Sequence, residues 1–187
     1  MTLLDEPKSK TLTIEQFLAH PDFKDYELID GVLTGRRPMG ALSDFIAMRL
    51  AALLGLFCQK TGAGHIFGSE TVYRCFGSSR TGRKGDVSFI RMGRLRGEKI
   101  PEGVIEIPAD LIVEVVSPTD LAYSVEAKAQ LYLNNGFEEL WVIFPNTRTI
   151  HVRRQGEPAE ILNENNTLKG RGALDGFTCG VRELFPR

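Results

Sequence analysis

Leu111-Ile-Val-Glu-Val-Val116 and Leu140-Trp-Val-Ile-Phe144 are the two stretches whose reading decides the architecture. Each is a short, almost continuously apolar run rich in β-branched and aromatic residues, bounded by Pro108 and Ser117-Pro118 in the first case and by Pro145-Asn146 in the second. Such runs belong to strands covered on both faces, the usual situation inside a sheet with crossover helices. The segment from about Ser124 to Asn134 reads as a helix, with Gly136 placed to take the left-handed conformation at its end. Strand, helix and strand in this order predict a β-α-β crossover with the two strands parallel.

Working outward from that unit, Tyr26-Glu-Leu-Ile29 and Val32-Leu-Thr34 flank Asp30-Gly31, a dipeptide suited to a tight hairpin. Before them, Thr13-Ile-Glu-Gln16 has the form of a capping box, opening a short helix over Ile14–Ala19 that ends at Pro21. Phe45, Ile46, Met48, Leu50, Leu53, Leu54, Leu56 and Phe57 recur at helical spacing, which predicts a long helix over Ser43–Lys60 packed on a wide face. Further strands are expected at His65–Phe67, Glu70–Phe76, Asp86–Ile90, Thr149–Arg153 and Ala159–Leu162, with Gly77–Gly85 as an exposed basic loop and a last apolar segment at Val181–Phe185. Residues 1–10 read as a flexible terminus and 11–187 as a single mixed α/β domain.

The chain has 187 residues, 42% hydrophobic and 25% charged, which is enough to bury a core without disulfides or structural metal. Cys58, Cys75 and Cys179 are odd in number and lack a C-x-x-C spacing, so they read as reduced thiols, mostly buried. No apolar run reaches the roughly 18 residues of a membrane span; the best, Phe45 to Cys58, is interrupted by Arg49. The first residues lack the basic and apolar regions of a secretory signal, and a cytoplasmic location is the expectation.

The formal net charge of −1 is unevenly spread. Between Thr71 and Lys99 eight basic residues (Arg74, Arg80, Arg83, Lys84, Arg91, Arg94, Arg96, Lys99) face only Asp86 and Glu98, so this stretch carries +6 and the remainder −7. A near-neutral chain is a poor general coat for duplex nucleic acid, but a local band can guide a polyanion to one place. Gly77-Ser-Ser-Arg-Thr-Gly82 fails as a phosphate loop, because Arg83 follows it and Gly85 stands where a magnesium-binding hydroxyl is required.

Glu114 is the chemical anomaly: a carboxylate within a strand that otherwise reads as buried. It needs a cation, a hydrogen-bond network or a metal, since an unpaired buried carboxylate costs several kcal/mol. Asp86 opens another β-stretch, and Lys128 lies on the helix that follows the Glu114 strand, with Tyr132 one turn further along the same face. Two carboxylates on adjacent strands can hold a hard divalent cation, and a nearby lysine can orient water or stabilise charge on a phosphate. A buried Glu114–Lys128 ion pair with Asp86 merely capping a strand is the other reading of the same residues. Tyr132 reads as packing or a supporting hydrogen bond, and Trp141 and Phe144 as core.

Tyr26-Glu-Leu-Ile-Asp-Gly31, Arg83-Lys-Gly-Asp-Val-Ser-Phe-Ile90, Pro108-Ala-Asp-Leu-Ile-Val-Glu-Val-Val-Ser-Pro118, Lys128-Ala-Gln-Leu-Tyr132, Gly136 and Glu139-Leu-Trp-Val-Ile-Phe-Pro145 together resemble the Uma-type "putative restriction endonuclease" family, within the PD-(D/E)XK nuclease superfamily. The resemblance runs from about Thr11 to Phe185. It implies a restriction-endonuclease-like fold, a central mixed β-sheet flanked by helices, with magnesium (or manganese) as cofactor, DNA as substrate and homodimers common. Asp86 and Glu114 match the acidic residues of the superfamily motif and would be metal ligands, with the main chain near Val115 completing the shell. Glu27 matches a further acidic position that adds a ligand directly or through water. The sequence departs from the pattern at Gly85, where the superfamily has proline, at Val116, where it has lysine, and at Ser43, where many relatives have histidine. Lys128 would supply the missing amine.

The expectation is therefore a metal-dependent DNA endonuclease with Asp86, Glu114, Lys128 and Glu27 as catalytic residues and Arg80, Arg83 and Lys84 guiding the nucleic acid. The alternatives are a catalytically silent nuclease-fold module that binds nucleic acid or a protein, and a hydrolase of a smaller phosphate ester.

Overall fold

A computed structural model describes residues 11–20, 23–36 and 39–186. The flexible terminus expected over residues 1–10, and Pro21, lie outside these. The elements are α1 (Ile14–Leu18), β1 (Tyr26–Ile29), β2 (Val32–Gly35), α2 (Ala41–Thr61), β3 (Gly64–Gly68), β4 (Val87–Arg91), β5 (Leu111–Val115), α3 (Ala122–Asn134), β6 (Glu139–Phe144), β7 (Thr149–Arg154), β8 (Glu160–Leu162), β9 (Thr167–Lys169) and β10 (Thr178–Gly180). Six strands form one mixed sheet in the order β3-β4-β5-β6-β7-β8. Only β5 and β6 are parallel, joined by α3 as the apolar runs require.

Strand periodicity sorts the core into two layers. Val87, Phe89, Leu111, Val113, Val115, Trp141, Ile143, Ile150 and Val152 point to one face, which Ile46, Ala47, Leu50 and Leu54 of α2 share with Leu168, Phe177, Val181 and Leu184 from the C-terminal segments, Phe177 stacking on Trp141. Ile112, Leu140 and Val142 point to the other, against Ala129, Tyr132 and Leu133 of α3. A third cluster (Ile14, Phe17, Leu28, Val72) binds α1 and the β1–β2 hairpin to the body. The hairpin turns through Asp30 and Gly31, both with positive φ, and the Thr13–Gln16 capping box forms in both directions. Gly31 also admits no side chain, since a Cβ there would lie 2.6 Å from Thr11 Cβ.

Several expectations are corrected. Glu70–Phe76 is not a strand; Tyr73 makes only isolated bridges to Arg83 and Ile105. Arg83 satisfies both Tyr73 backbone groups without a ladder, while Ile105 bonds to the flanking Arg74 amide and Val72 carbonyl. The loop Gly77–Gly85 is exposed only in its first half. Thr81–Gly85 is buried because Gly82 exchanges two backbone hydrogen bonds with Leu28 beneath the hairpin, at 2.8 and 3.0 Å. The α2 face is narrower than predicted: Leu42, Phe45, Met48 and Leu56 are exposed. With its 21 residues, α2 is also apolar enough to cross a membrane by length and composition, Arg49 notwithstanding, although here its inner stripe packs on the sheet. Phe144 is only partly buried, whereas Trp141 is core. All three cysteines are free, Cys75 half-buried.

Candidate functional site

The β4–β5 register places the two motif carboxylates together. Val87 and Val113 are the last pair of the β4–β5 ladder, and Asp86 and Glu114 adjoin that pair at the same end, close enough for the Asp86 charge to act on Glu114. Asp86 is anchored at both ends: its amide donates to the Val113 carbonyl (2.9 Å), and its Oδ2 accepts the Val115 amide (2.7 Å). Val115 thus acts first as a donor that orients Asp86, while its side chain is buried in the α2 layer.

The β-α-β crossover brings α3 over this face. Lys128 Nζ lies 2.8 Å from Glu114 Oε2 and 3.9 Å from Glu27 Oε1. Glu27 arrives from β1, held by the Lys84 amide (2.7 Å) and faced by Arg83 (3.6 Å). The four residues expected to form the centre are therefore gathered from four elements. Glu114 and Lys128 keep 16% and 21% of their side-chain surface exposed, so the centre is reachable from solvent.

Burial, helped by the neighbouring Asp86 charge, pushes the Glu114 carboxyl up to about 7 against the opposing pull of Lys128. Burial raises Asp86 as well, despite Lys128 and the Val115 hydrogen bond. Glu27 differs: burial alone would raise it, but Lys128 and Arg83 hold it below the usual carboxylate range. Burial works against the Lys128 ammonium too, yet Glu114 and Glu27 keep its pKa above that of a free lysine. Tyr132 OH lies 2.9 Å from the Lys84 carbonyl and 3.0 Å from Glu114 Oε1. One hydroxyl proton faces two acceptors, so both bonds are complete only when Glu114 itself carries a proton, in keeping with its raised pKa.

The proposed nucleic-acid residues are placed differently. Lys84 is fully buried, its ammonium 3.2 Å from Glu70 and over the Phe23 ring, and Arg83 is buried against Glu27. Neither can meet an incoming phosphate in this arrangement; folding the hairpin over Thr81–Gly85 is what encloses them. Arg80 alone is exposed, with Thr11 as a hydrogen-bond partner at 3.4 Å. The wider basic band is largely neutralised: Arg74 pairs with Glu15 and Glu106, Arg91 with Asp110 and Glu138, and Arg94 with Asp110. Ser43 is buried on α2.

Arg36, at the end of β2, was not among the sequence candidates. Its guanidinium lies 3.8 Å from Asp86 Oδ1 and donates to the Ser69 carbonyl (3.1 Å). Nothing local in the sequence distinguishes it, because its partners are brought near only by the hairpin's return.

Among the described residues there is no cluster of three or more His, Cys, Asp or Glu side chains placed to hold a metal. Zinc-type ligation is therefore a poor match, whereas two carboxylates supplemented by main chain, water and substrate phosphate are what magnesium accepts. Both carboxylates are raised by burial even with Lys128 present, so the pair is short of positive charge and fits a hard cation.

Among curated proteins, none matches this sequence. Of solved structures, a "putative nuclease belonging to DUF820" from Anabaena variabilis ATCC 29413 superposes with a TM-score of 0.79 at 18% identity, over 93% of this chain and 97% of that one. This likeness establishes the nuclease-like fold. The Uma2 family model, described as "Putative restriction endonuclease", matches residues 14–182, a span that takes in Glu27, Asp86, Glu114 and Lys128, and supports a nuclease function. The chain belongs to the Uma2 family.

Proposed function

We propose that this protein is a magnesium-dependent DNA nuclease whose centre is Asp86, Glu114 and Lys128. One observation carries the reading: two burial-raised carboxylates stand together at the end of the β4–β5 ladder, with a lysine ammonium 2.8 Å from one of them. A cation bound there would supply Lewis acidity and make water a stronger nucleophile at neutral pH. Asp86 and Glu114 would hold it, aligned by the Val115 amide and by Tyr132. Lys128 remains charged at neutral pH and so cannot act as a general base; it orients the attacking water or offsets charge growing on the phosphate. Glu27, kept ionised, positions the lysine and the Lys84 backbone more directly than it could bind metal. Homodimerisation and a cytoplasmic location belong to the same reading, the former tested by light scattering.

The internal pairing of Arg83, Lys84, Arg91 and Arg94 favours a second reading, a module that binds without cutting. Incubating supercoiled, linear, single-stranded and branched DNA with magnesium or manganese at low salt separates the two. Cleavage by wild type, lost in Glu114→Ala and Lys128→Ala proteins of verified fold, is the expected result. Cleavage that survives Glu114→Ala would remove this site from the reaction, and absence of both cleavage and metal-induced stabilisation would favour the binding module.

A further inference from the structure

The face that carries Glu114 continues past α3 into an uncovered shelf. Register runs Glu114↔Val142 between β5 and β6, Val142↔His151 between β6 and β7, and His151↔Ile161 between β7 and β8. Directly paired residues share a face, and strands lie about 4.8 Å apart, so this row leads from the carboxylate about 14 Å across the sheet. Its first step lies under α3, where Glu114, Lys128, Ser124, Val125 and Val142 help to line a crevice of about 120 Å³. Beyond it the helix no longer covers the strands, apart from the Arg153–Glu126 ion pair. There Phe144 and His151 are half-buried with ring centres 4.5 Å apart, and Ile161 is 62% exposed. On this face β6, β7 and β8 present Leu140, Val142, Phe144, Thr149, His151, Arg153 and Ile161, none of them acidic.

We infer that this shelf is a stacking platform for unpaired nucleotides flanking the phosphate at Glu114, which makes single-stranded or locally unpaired nucleic acid the substrate class. The inference rests on the nuclease reading and deepens it. Two independent observations carry it. Aromatic and aliphatic side chains aligned with the reactive carboxylate can take the faces of successive bases, which a paired duplex keeps stacked inside. The basic side chains that could track duplex phosphates are instead mostly tied to carboxylates of this chain, leaving little of the electrostatic grip on which duplex binding depends.

The test is fluorescence anisotropy of the full chain in calcium with three probes: a labelled twelve-nucleotide oligothymidylate, the same backbone with abasic sites, and a duplex of equal length. Variants are Ile161→Glu, which alters an exposed position, His151→Ala, and His151→Phe as the conservative rescue. The oligothymidylate should bind about tenfold tighter than the abasic strand or the duplex, and His151→Ala and Ile161→Glu should each weaken it about fivefold or more, with His151→Phe retaining affinity. Unchanged affinity in His151→Ala and Ile161→Glu, or duplex binding equal to single-strand binding, overturns the platform. Loss of a dimer in Ile161→Glu without change in oligonucleotide affinity also overturns it and assigns the shelf to a second copy. Shelf-dependent binding with no cleavage of any DNA sustains the platform while refuting the nuclease reading; cleavage indifferent to the shelf variants does the reverse.

Discussion

Replacing Lys128 by methionine keeps the length of the side chain and removes its charge. At 2.8 Å, and with an effective dielectric of about 20, the gross attraction between Lys128 and Glu114 is about 6 kcal/mol, part of which is offset by desolvation. Breaking a buried pair from one side costs about 3–5 kcal/mol, and the residual exposure of both side chains places this pair at the lower end, about 3 kcal/mol. For a chain of this size that is a fall in Tm of about 6–12 °C. The loss depends on pH. Glu114 titrates in the folded protein at about 7, above the value in the unfolded chain, so the fold binds its proton more readily and stability declines as pH rises through that interval. At pH 5 Glu114 is largely neutral, so of the carboxylates beside the lysine it is chiefly the longer pairing with Glu27 that is lost. At pH 8 the variant must either ionise Glu114 beside Asp86 and Glu27 without its counter-charge or hold a proton against the solvent. Thermal melts of wild type and Lys128→Met across pH 5–8 should therefore diverge upward in pH, with Glu114→Gln in the same background closing most of the gap. A uniform fall in Tm at every pH would show that Lys128 does not act by offsetting the Glu114 charge, and a fall below about 2 °C at pH 8 would refute the electrostatic account altogether.

Tyr132→Phe removes the hydroxyl shared by Glu114 and the Lys84 carbonyl; denaturant unfolding should show a loss of about 1–2 kcal/mol, and any cleavage activity should fall more steeply than the stability change alone predicts. A Cβ on Gly85 would lie 2.6 and 2.7 Å from the Ile112 side chain, so Gly85→Ala should cost about 1–3 kcal/mol, partly recovered by Ile112→Val; an unchanged Tm would contradict the close contact. Magnesium titrated against a metal-free preparation should raise Tm more at pH 8 than at pH 5, because both carboxylates titrate above their ordinary values, and Asp86→Asn should abolish the rise; calorimetry provides the independent check.

Much of the fold was legible locally. Asp30-Gly31 demanded a hairpin and received positive φ at both residues, and the apolar runs around Ile112 and Val142 are parallel neighbours joined by a helix. Glu114 was conspicuous because a carboxylate among Leu, Ile and Val must find a partner, and the helix following its strand had a lysine at the right turn. The loop before Asp86 reads as solvated in one dimension because its basic residues have no carboxylate partner nearby in sequence. Their carboxylate partners lie 57 and 14 residues away, at Glu27 for Arg83's neighbourhood through the Lys84 amide and at Glu70 for the Lys84 ammonium. Residue type alone cannot tell a phosphate-seeking lysine from one that neutralises an internal charge.

Sequence by itself determined the long helix, the hairpin turn, the β-α-β unit and the chemical oddity of Glu114, because these depend on neighbours within a few residues. Tertiary structure decided what required distant segments to meet: Asp86 beside Glu114 at the end of the β4–β5 ladder, Arg36 beside Asp86 through the return of the hairpin, and the burial of Arg83 and Lys84. Charge acquires its chemical meaning from distance and solvent exposure, and both are properties of the packed chain.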